Sequence, residues 1–291
     1  MFTINREEKM TLKIVTDSTC DLPKEVIEKY GITVIPAYIN FSDGSYLDGV
    51  EISRKEFYER LPTCETPPTT SAPAIGTFAK VYQELREKGA TSILSIHISS
   101  ALSGIYNVAV LAAEAMETIK VKTFDAGNLS LGTGLVVEVA AKMAQSGINL
   151  EEVLEKVKEV AQRTYTFAAL DTLKFLQRSG RISKLKAGFG SLLQIKPILR
   201  MNQSKVAMEV SRTSKGAIQH LVNTLRALGP LEAIALVHTN VPDRAEKLRA
   251  ELKTIFDNVI QAYSTDVTPV IGAHIGPGAV GFVVITAPQK G

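Results

Sequence analysis

At 291 residues the chain is long enough for two domains of about 150 residues, or for one large one. Apolar residues supply 45% of it and charged residues 22%, so a packed core is available and wholesale disorder is excluded. Thirty-three Lys and Arg face thirty Asp and Glu, and the resulting +3, evenly spread, excludes nucleic acid as the main partner.

Strands and helices alternate along the chain. Leu12 to Thr16 is a short apolar run, read as a strand ending in the polar triplet Asp17-Ser18-Thr19. Asp21 to Tyr30 has helical spacing, with Pro23 in its first turn and Gly31 as its stop. Thr33 to Phe41 reads as a second strand. Ser53 and Glu56 stand three apart ahead of Phe57, which is capping-box spacing and starts a helix. Cys64 to Pro73, CETPPTTSAP, carries three prolines and predicts irregular backbone over most of its length. Pro73 fits the first turn of a helix reaching about Lys88. Thr91 to Ile98 is a third strand, Gly104 to Glu117 a helix, Val121 to Phe124 a fourth strand and Leu129 to Gln145 a long helix. Asn149 and Glu152 cap a further helix that runs to about Arg163.

The pattern changes after Tyr165. Phe167 to Leu170 reads as a strand, and Arg178 to Gly190 is rich in Gly and Lys. Ile195 to Met201 and Val206 to Ser211 form a predicted antiparallel hairpin across Asn202 to Lys205. A helix over Gly216 to Ala227 leads into a strand over Ala233 to His238, and one over Asp243 to Phe256 into a strand over Val259 to Ala262. Val270 to His274 and Val280 to Ala287 read as the last strands. The expected class is α/β: an N-terminal three-layer parallel-sheet domain over 12–164 and a C-terminal mixed-sheet α/β domain over 165–291. Residues 1–11 read as an extension, with Met10 as a candidate start.

Several function classes lack their motifs. Cys20 and Cys64 lie far apart with no CxxC, which excludes a disulfide framework and suits a reducing compartment. Leu131 to Ala144 carries Glu138 and Lys142 and is too short to span a bilayer, and MFTINREEKM has no apolar signal core; a cytoplasmic protein is expected. There is no GxxxxGK[ST], GxSxG or HExxH, and His97, His220, His238 and His274 have no metal-ligand spacing, so neither a cofactor nor a metal is expected. Gly276, Gly278 and Gly281 have GxGxxG spacing, but ten residues with a strand pattern follow where a dinucleotide fold needs a helix and a second strand.

In an open parallel sheet, ligands bind beyond the carboxyl ends of the strands. That rule selects Asp17-Ser18-Thr19 after the first strand, and Ser99-Ser100 with Ser103-Gly104 after the third. Asp17 and Ser103 equally fit plain helix caps. His274, beside a Gly-Pro-Gly turn, is the histidine best placed for function. Arg178, Arg181, Lys184 and Lys186 cluster in a turn-like stretch that suits an anion or a partner surface. One alternative reading is an acyl hydrolase or transferase using Ser99 or Ser100 with His274, for which Asp17 is the only candidate orienting acid.

VTDSTCDLP, TTSAPA, ISSALSGIYNVA, RSGRIS, KPIL and HIGPGAVG, in that order, resemble the DegV family over nearly the whole chain from Leu12 onward. Ala72 and Ala74 stand where the family's loop motif usually has Gln and Ser, and Ile105 where Thr is usual. The resemblance implies a fatty-acid-binding protein of two α/β domains with the lipid held between them, without catalytic power of its own. It implies a partner, a separate ATP-dependent fatty-acid kinase that phosphorylates the bound acid for phospholipid synthesis. By motif, Thr70 and Ser99 would hold the carboxyl group with His274 close by. Ser71, Ser100, Ser103 and Arg181 are secondary candidates, Arg181 rather for the partner surface. Leu102, Ile105, Phe167, Phe175, Leu176, Phe189, Leu192 and Leu193 lie close in sequence to these segments and are candidates to line the tunnel.

Overall fold

A computed structural model of the chain describes residues 11–181, 195–253 and 261–288. The N-terminal half is built on a parallel sheet of β1 (Leu12–Asp17), β2 (Thr33–Ile35), β6 (Ser92–His97) and β7 (Lys120–Asp125), in the order β2-β1-β6-β7. Both faces are covered. Helices α1 (Lys24–Tyr30), α5 (Leu131–Gln145) and α6 (Leu150–Gln162) pack on one. Helices α2 (Arg54–Arg60), α3 (Ile75–Glu87) and α4 (Ile105–Glu114) pack on the other. The expected caps form: Ser53 Oγ accepts from the Glu56 N–H at 3.1 Å, Asn149 Oδ1 from the Glu152 N–H at 3.0 Å, and Gly31 closes α1 at φ +60°.

The C-terminal half is a mixed sheet in the order β10-β9-β8-β13-β11-β12, from β8 (Thr164–Ala169), β9 (Lys196–Asn202), β10 (Lys205–Ser211), β11 (Leu231–His238), β12 (Gln261–Asp266) and β13 (Val280–Thr286). The β9–β10 hairpin turns across Gln203 and Ser204, both at positive φ. Helices α8 (Ser214–Ala227) and α9 (Pro242–Lys253) cover one face. The two halves share a core through α5: Leu131, Leu135, Val136 and Val137 pack with Ile14 and Leu94 of one sheet and with Val237 and Val283 of the other. Coverage from both sides explains why α5 is apolar nearly all round.

Three expectations need correction. Thr33 to Phe41 is two strands separated at Pro36, which has no N–H to donate to a ladder and a fixed φ. Beyond it, β3 (Tyr38–Phe41) turns away to pair with β4 (Gly44–Leu47) and β5 (Thr69–Ser71) in a small antiparallel sheet. The end of the proline-rich loop is therefore a strand, with Thr70 opposite Ile39. Val270 to His274 is not a strand but the centre of helix α10 (Pro269–Ile275), with proline at its first position and Gly276 behind it. A run of five residues is short enough to satisfy both periodicities, and here the helix wins. The Gly-Pro-Gly turn accordingly links a helix to a strand. The predicted strand over Val259 to Ala262, the end of the preceding helix at Phe256, and Ser183 to Gly190 fall wholly or partly outside the described residues. No helix among the described residues is long and apolar enough to cross a membrane.

Candidate binding site

Beside the shared core the two halves enclose an apolar cavity with about 950 Å³ of space, its open mouth included. Ile98 and Leu129 come from the N-terminal half; Ala168, Leu199, Met201 and Val206 come from the mixed sheet. A polar recess of about 850 Å³ adjoins it, and Thr70, Leu102, Ser103, Arg181 and Val270 line both.

Thr70 and His274 meet at this junction. β5 carries Thr70, α10 carries His274 in its last turn, and Thr70 Oγ1 lies 2.9 Å from His274 Nε2. His274 Nδ1 is buried with no hydrogen-bond partner among the described residues. Burial, aided by the nearby positive charge of Arg181, pushes the imidazole pKa down to about 4. The ring is thus neutral at pH 7, with one nitrogen held by Thr70 and one left for a further polar group.

The shift fixes a pH dependence. The unfolded imidazole, with a pKa of about 6.5, binds a proton that the folded one refuses until about pH 4. The stability tied to His274 is therefore complete above about pH 6.5 and lost as the pH falls toward 4. Urea unfolding is expected to show wild type losing more stability than His274→Asn across that interval, with the two running parallel above it.

The serines are placed differently. Ser99 is fully buried; its Oγ donates to Ser204 Oγ at 2.8 Å and accepts from the Ala101 N–H at 3.2 Å, and it lines neither recess. It ties the third parallel strand to the β9–β10 hairpin turn. Ser100 lines the polar recess and donates through N and Oγ to Asp125 Oδ2, at 3.0 and 2.6 Å. Ser103 Oγ accepts from the N–H of Ile105, the first residue of α4, at 3.3 Å, while lining both recesses; the N-cap itself is Gly104. Ser71 lines the polar recess, and its Oγ accepts from Asn40 Nδ2 at 3.3 Å. Arg181, expected on a partner surface, stands at the mouth and donates to the Ser179 carbonyl at 2.7 Å.

Asp17 serves the core. Its Oδ1 accepts from the Thr19 N–H at 3.0 Å, and its Oδ2 from the Ile98 N–H at 3.2 Å and from His97 Nδ1 at 2.9 Å. His97 Nε2 lies 2.7 Å from Ser95 Oγ, which accepts from the Tyr82 hydroxyl at 2.8 Å. Burial raises the Asp17 pKa, but the bonds from His97, Thr19 and Ile98 outweigh it and the net shift is downward. All four side chains are fully buried, so this Ser–His–Asp chain is closed to substrate. Asp17 orients His97, whereas His274 pairs with Thr70; the constellation of a hydrolase using Ser99 or Ser100 is not assembled.

Of the expected tunnel residues, Leu102 and Leu176 line the apolar cavity and Ile105 the polar recess. Phe167 points the other way, into the core under α8, since neighbours on a strand face opposite sides. Phe175 packs against Gly276 instead. Phe189, Leu192 and Leu193 lie outside the described residues. The missed lining residues, Thr166 with Ala168 and Leu199 with Met201, are small or flexible side chains two apart on β8 and β9. That alternation was a readable signal, but it marks only a shared sheet face.

The family model described as an uncharacterised protein of the DegV family matches residues 11–287. A DegV domain-containing protein of Clostridium acetobutylicum is 35% identical over 277 residues, covering 94% of this chain and 98% of its own. Two solved structures superpose closely. One, described as fatty acid binding of a DegV family protein from Thermus thermophilus, has a TM-score of 0.88 at 33% identity and covers 96% of this chain and 100% of its own. The other, DegV of Bacillus subtilis, described as a fatty acid binding protein, has a TM-score of 0.87 at 33% identity and covers 95% and 100%.

Proposed function

This chain belongs to the DegV family, and on that premise we propose that it binds a long-chain fatty acid with the tail in the apolar cavity and the carboxyl group at the Thr70–His274 junction. The observation that carries this reading is one apolar cavity, lined from both halves, whose mouth holds a neutral histidine with an unsatisfied nitrogen. It agrees with the fatty acid binding described for the relatives from Thermus thermophilus and Bacillus subtilis. A chain of about 16 carbons offers roughly 11 kcal/mol from burying its methylenes at about 0.8 kcal/mol each, before costs. The tail thus supplies affinity, and the head needs orientation.

The head meets hydroxyls and an imidazole, with Arg181 as the nearby positive charge. A carboxylate there keeps polar donors and a route to solvent, which avoids the cost of burying an unpaired charge. On the same reading the chain divides near residue 165 into two domains with the lipid between them, and it acts in the cytoplasm as a carrier. The polar recess leaves room beside the carboxyl group for a phosphoryl donor. We infer that a separate ATP-dependent fatty-acid kinase works there, transferring a phosphoryl group to the presented carboxylate to form an acyl phosphate.

Displacement of a fluorescent fatty acid tests the head contacts. Thr70→Val is expected to weaken binding about 10-fold, the worth of one hydrogen bond at a charged group. Ser99→Ala, whose hydroxyl serves Ser204, is expected to change affinity less than 3-fold and to lower stability by about 1 kcal/mol. A larger loss of affinity for Ser99→Ala than for Thr70→Val would return Ser99 to the carboxyl site.

A further inference from the structure

Helix α10 belongs by sequence to the C-terminal half, between β12 and β13, yet it is seated in the N-terminal one. Val270 and Ala273 pack into the core of Ile39, Phe57, Tyr58 and Phe78. Gly272 permits this: a Cβ there would lie 2.5 Å from the Tyr58 hydroxyl oxygen and 3.0 Å from Phe57. The segment entering α10 is gripped by side chains of the N-terminal half. Asp21 Oδ1 accepts from the Thr268 N–H at 2.9 Å and from Arg54 Nη2 at 3.0 Å, and its Oδ2 from Ser130 Oγ at 2.6 Å. Asp48 Oδ2 accepts from Thr268 Oγ1. Arg54 Nη1 donates to Thr265 Oγ1 at 3.1 Å, and the Tyr58 hydroxyl to the Val267 carbonyl at 3.0 Å.

Asp21 and Asp48 are almost completely buried, and Arg54 forms an ion pair with Asp21. Burial pushes both carboxyls up, Asp21 to about 7, with Arg54 opposing the rise and neighbouring acids adding to it. None of these groups lines either recess, so the lipid site gives them no role. A buried cluster of this kind is a poor source of net stability, which points to specificity of position.

We propose that Asp48 and Asp21, with Arg54, are positioning residues for the lipid site: they fix the start of α10 on the N-terminal half and thereby hold His274 against Thr70. The cluster rests on the reading of His274 as a head-group contact only for its consequence in binding; the positioning itself is visible without lipid. Asparagine keeps the shape of Asp48 and an oxygen able to accept from Thr268 Oγ1, so Asp48→Asn preserves the grip where Asp48→Ala removes it.

The test is NMR of the lipid-free full chain with labelled histidine, His274→Asn assigning the signal among the four histidines. In wild type the His274 ring titrates near 4 because α10 keeps it buried. Asp48→Ala and the milder Thr268→Val are expected to release α10 and raise that midpoint by at least about one unit toward 6.5. Asp48→Asn restores the wild-type value. Val222→Ala, in the core under α8, lowers thermal stability without moving it. A His274 midpoint unchanged in both Asp48→Ala and Thr268→Val, or moved equally by Val222→Ala, overturns the proposal. A raised midpoint with unaltered fatty-acid affinity upholds the positioning and instead overturns His274 as a lipid contact.

Discussion

Ala168→Phe is expected to cut fatty-acid affinity by about 100-fold or more while leaving the fold intact. Ala168 lies on β8 opposite Leu199 of β9 and lines the apolar cavity. A phenyl ring at that position fills space the acyl tail would take. Displacing about four methylenes, at about 0.8 kcal/mol each, removes about 3 kcal/mol of binding. In a filled core the same enlargement would cost about 1–3 kcal/mol of stability. Here the ring enters a void, so the thermal midpoint should hold or rise. Isothermal titration with a long-chain acid and a thermal melt on one sample separate the two effects. Unchanged affinity in a folded variant would mean that the tail lies elsewhere.

Gly281→Ala is expected to be the most damaging single substitution for stability, at about 4 kcal/mol or more, among the exceptional values. β13 is a central strand, and Gly281 pairs with Ala168 of β8. A Cβ on Gly281 would lie 2.0 Å from the Phe167 backbone oxygen and 2.8 Å from the Ala168 Cα. Backbone in mid-sheet cannot yield as a side-chain tip would. Gly278→Ala meets only left-handed strain at φ +88° and Asp171 at 3.0 Å, and should cost about 1–3 kcal/mol. Urea denaturation orders the two, and a Gly281→Ala protein as stable as wild type would refute the steric account. The GxGxxG spacing thus has a local explanation: a helix end at Gly276 held against Phe175, a turn at Gly278, and a close strand contact at Gly281. The order is helix, turn, strand, the reverse of a dinucleotide fingerprint.

Local chemistry was legible where one or two residues decide the outcome. Ser53 with Glu56, Asn149 with Glu152, and Gly31 marked helix ends because a cap needs only its own oxygen and a nearby N–H. Strand alternation separated the parallel half from the mixed one near Tyr165, and β8 starts at Thr164. What failed depends on partners distant in sequence. Val270 to His274 was ambiguous by itself, and its helical state is secured by Asp21, Asp48 and Tyr58, more than 200 residues away. Ser99 is selected both by its place after a parallel strand and by motif, and its hydrogen bond to Ser204, 105 residues on, is one that no local pattern announces. Thr70 and His274 were selected by motif, and they meet across 204 residues. The cavity wall escaped for a different reason. Ala168, Leu199 and Met201 are ordinary strand residues, and nothing in a single chain of letters says which sheet face stays unfilled.

The most direct measurement is organic extraction and mass spectrometry of the purified protein, followed by titration of the delipidated chain with a long-chain fatty acid. A stoichiometric long-chain acid, recovered on extraction or taken up on titration and lost in Ala168→Phe, is the expected result. A folded protein that carries no lipid and takes up none when offered would contradict a lipid cavity between the two halves.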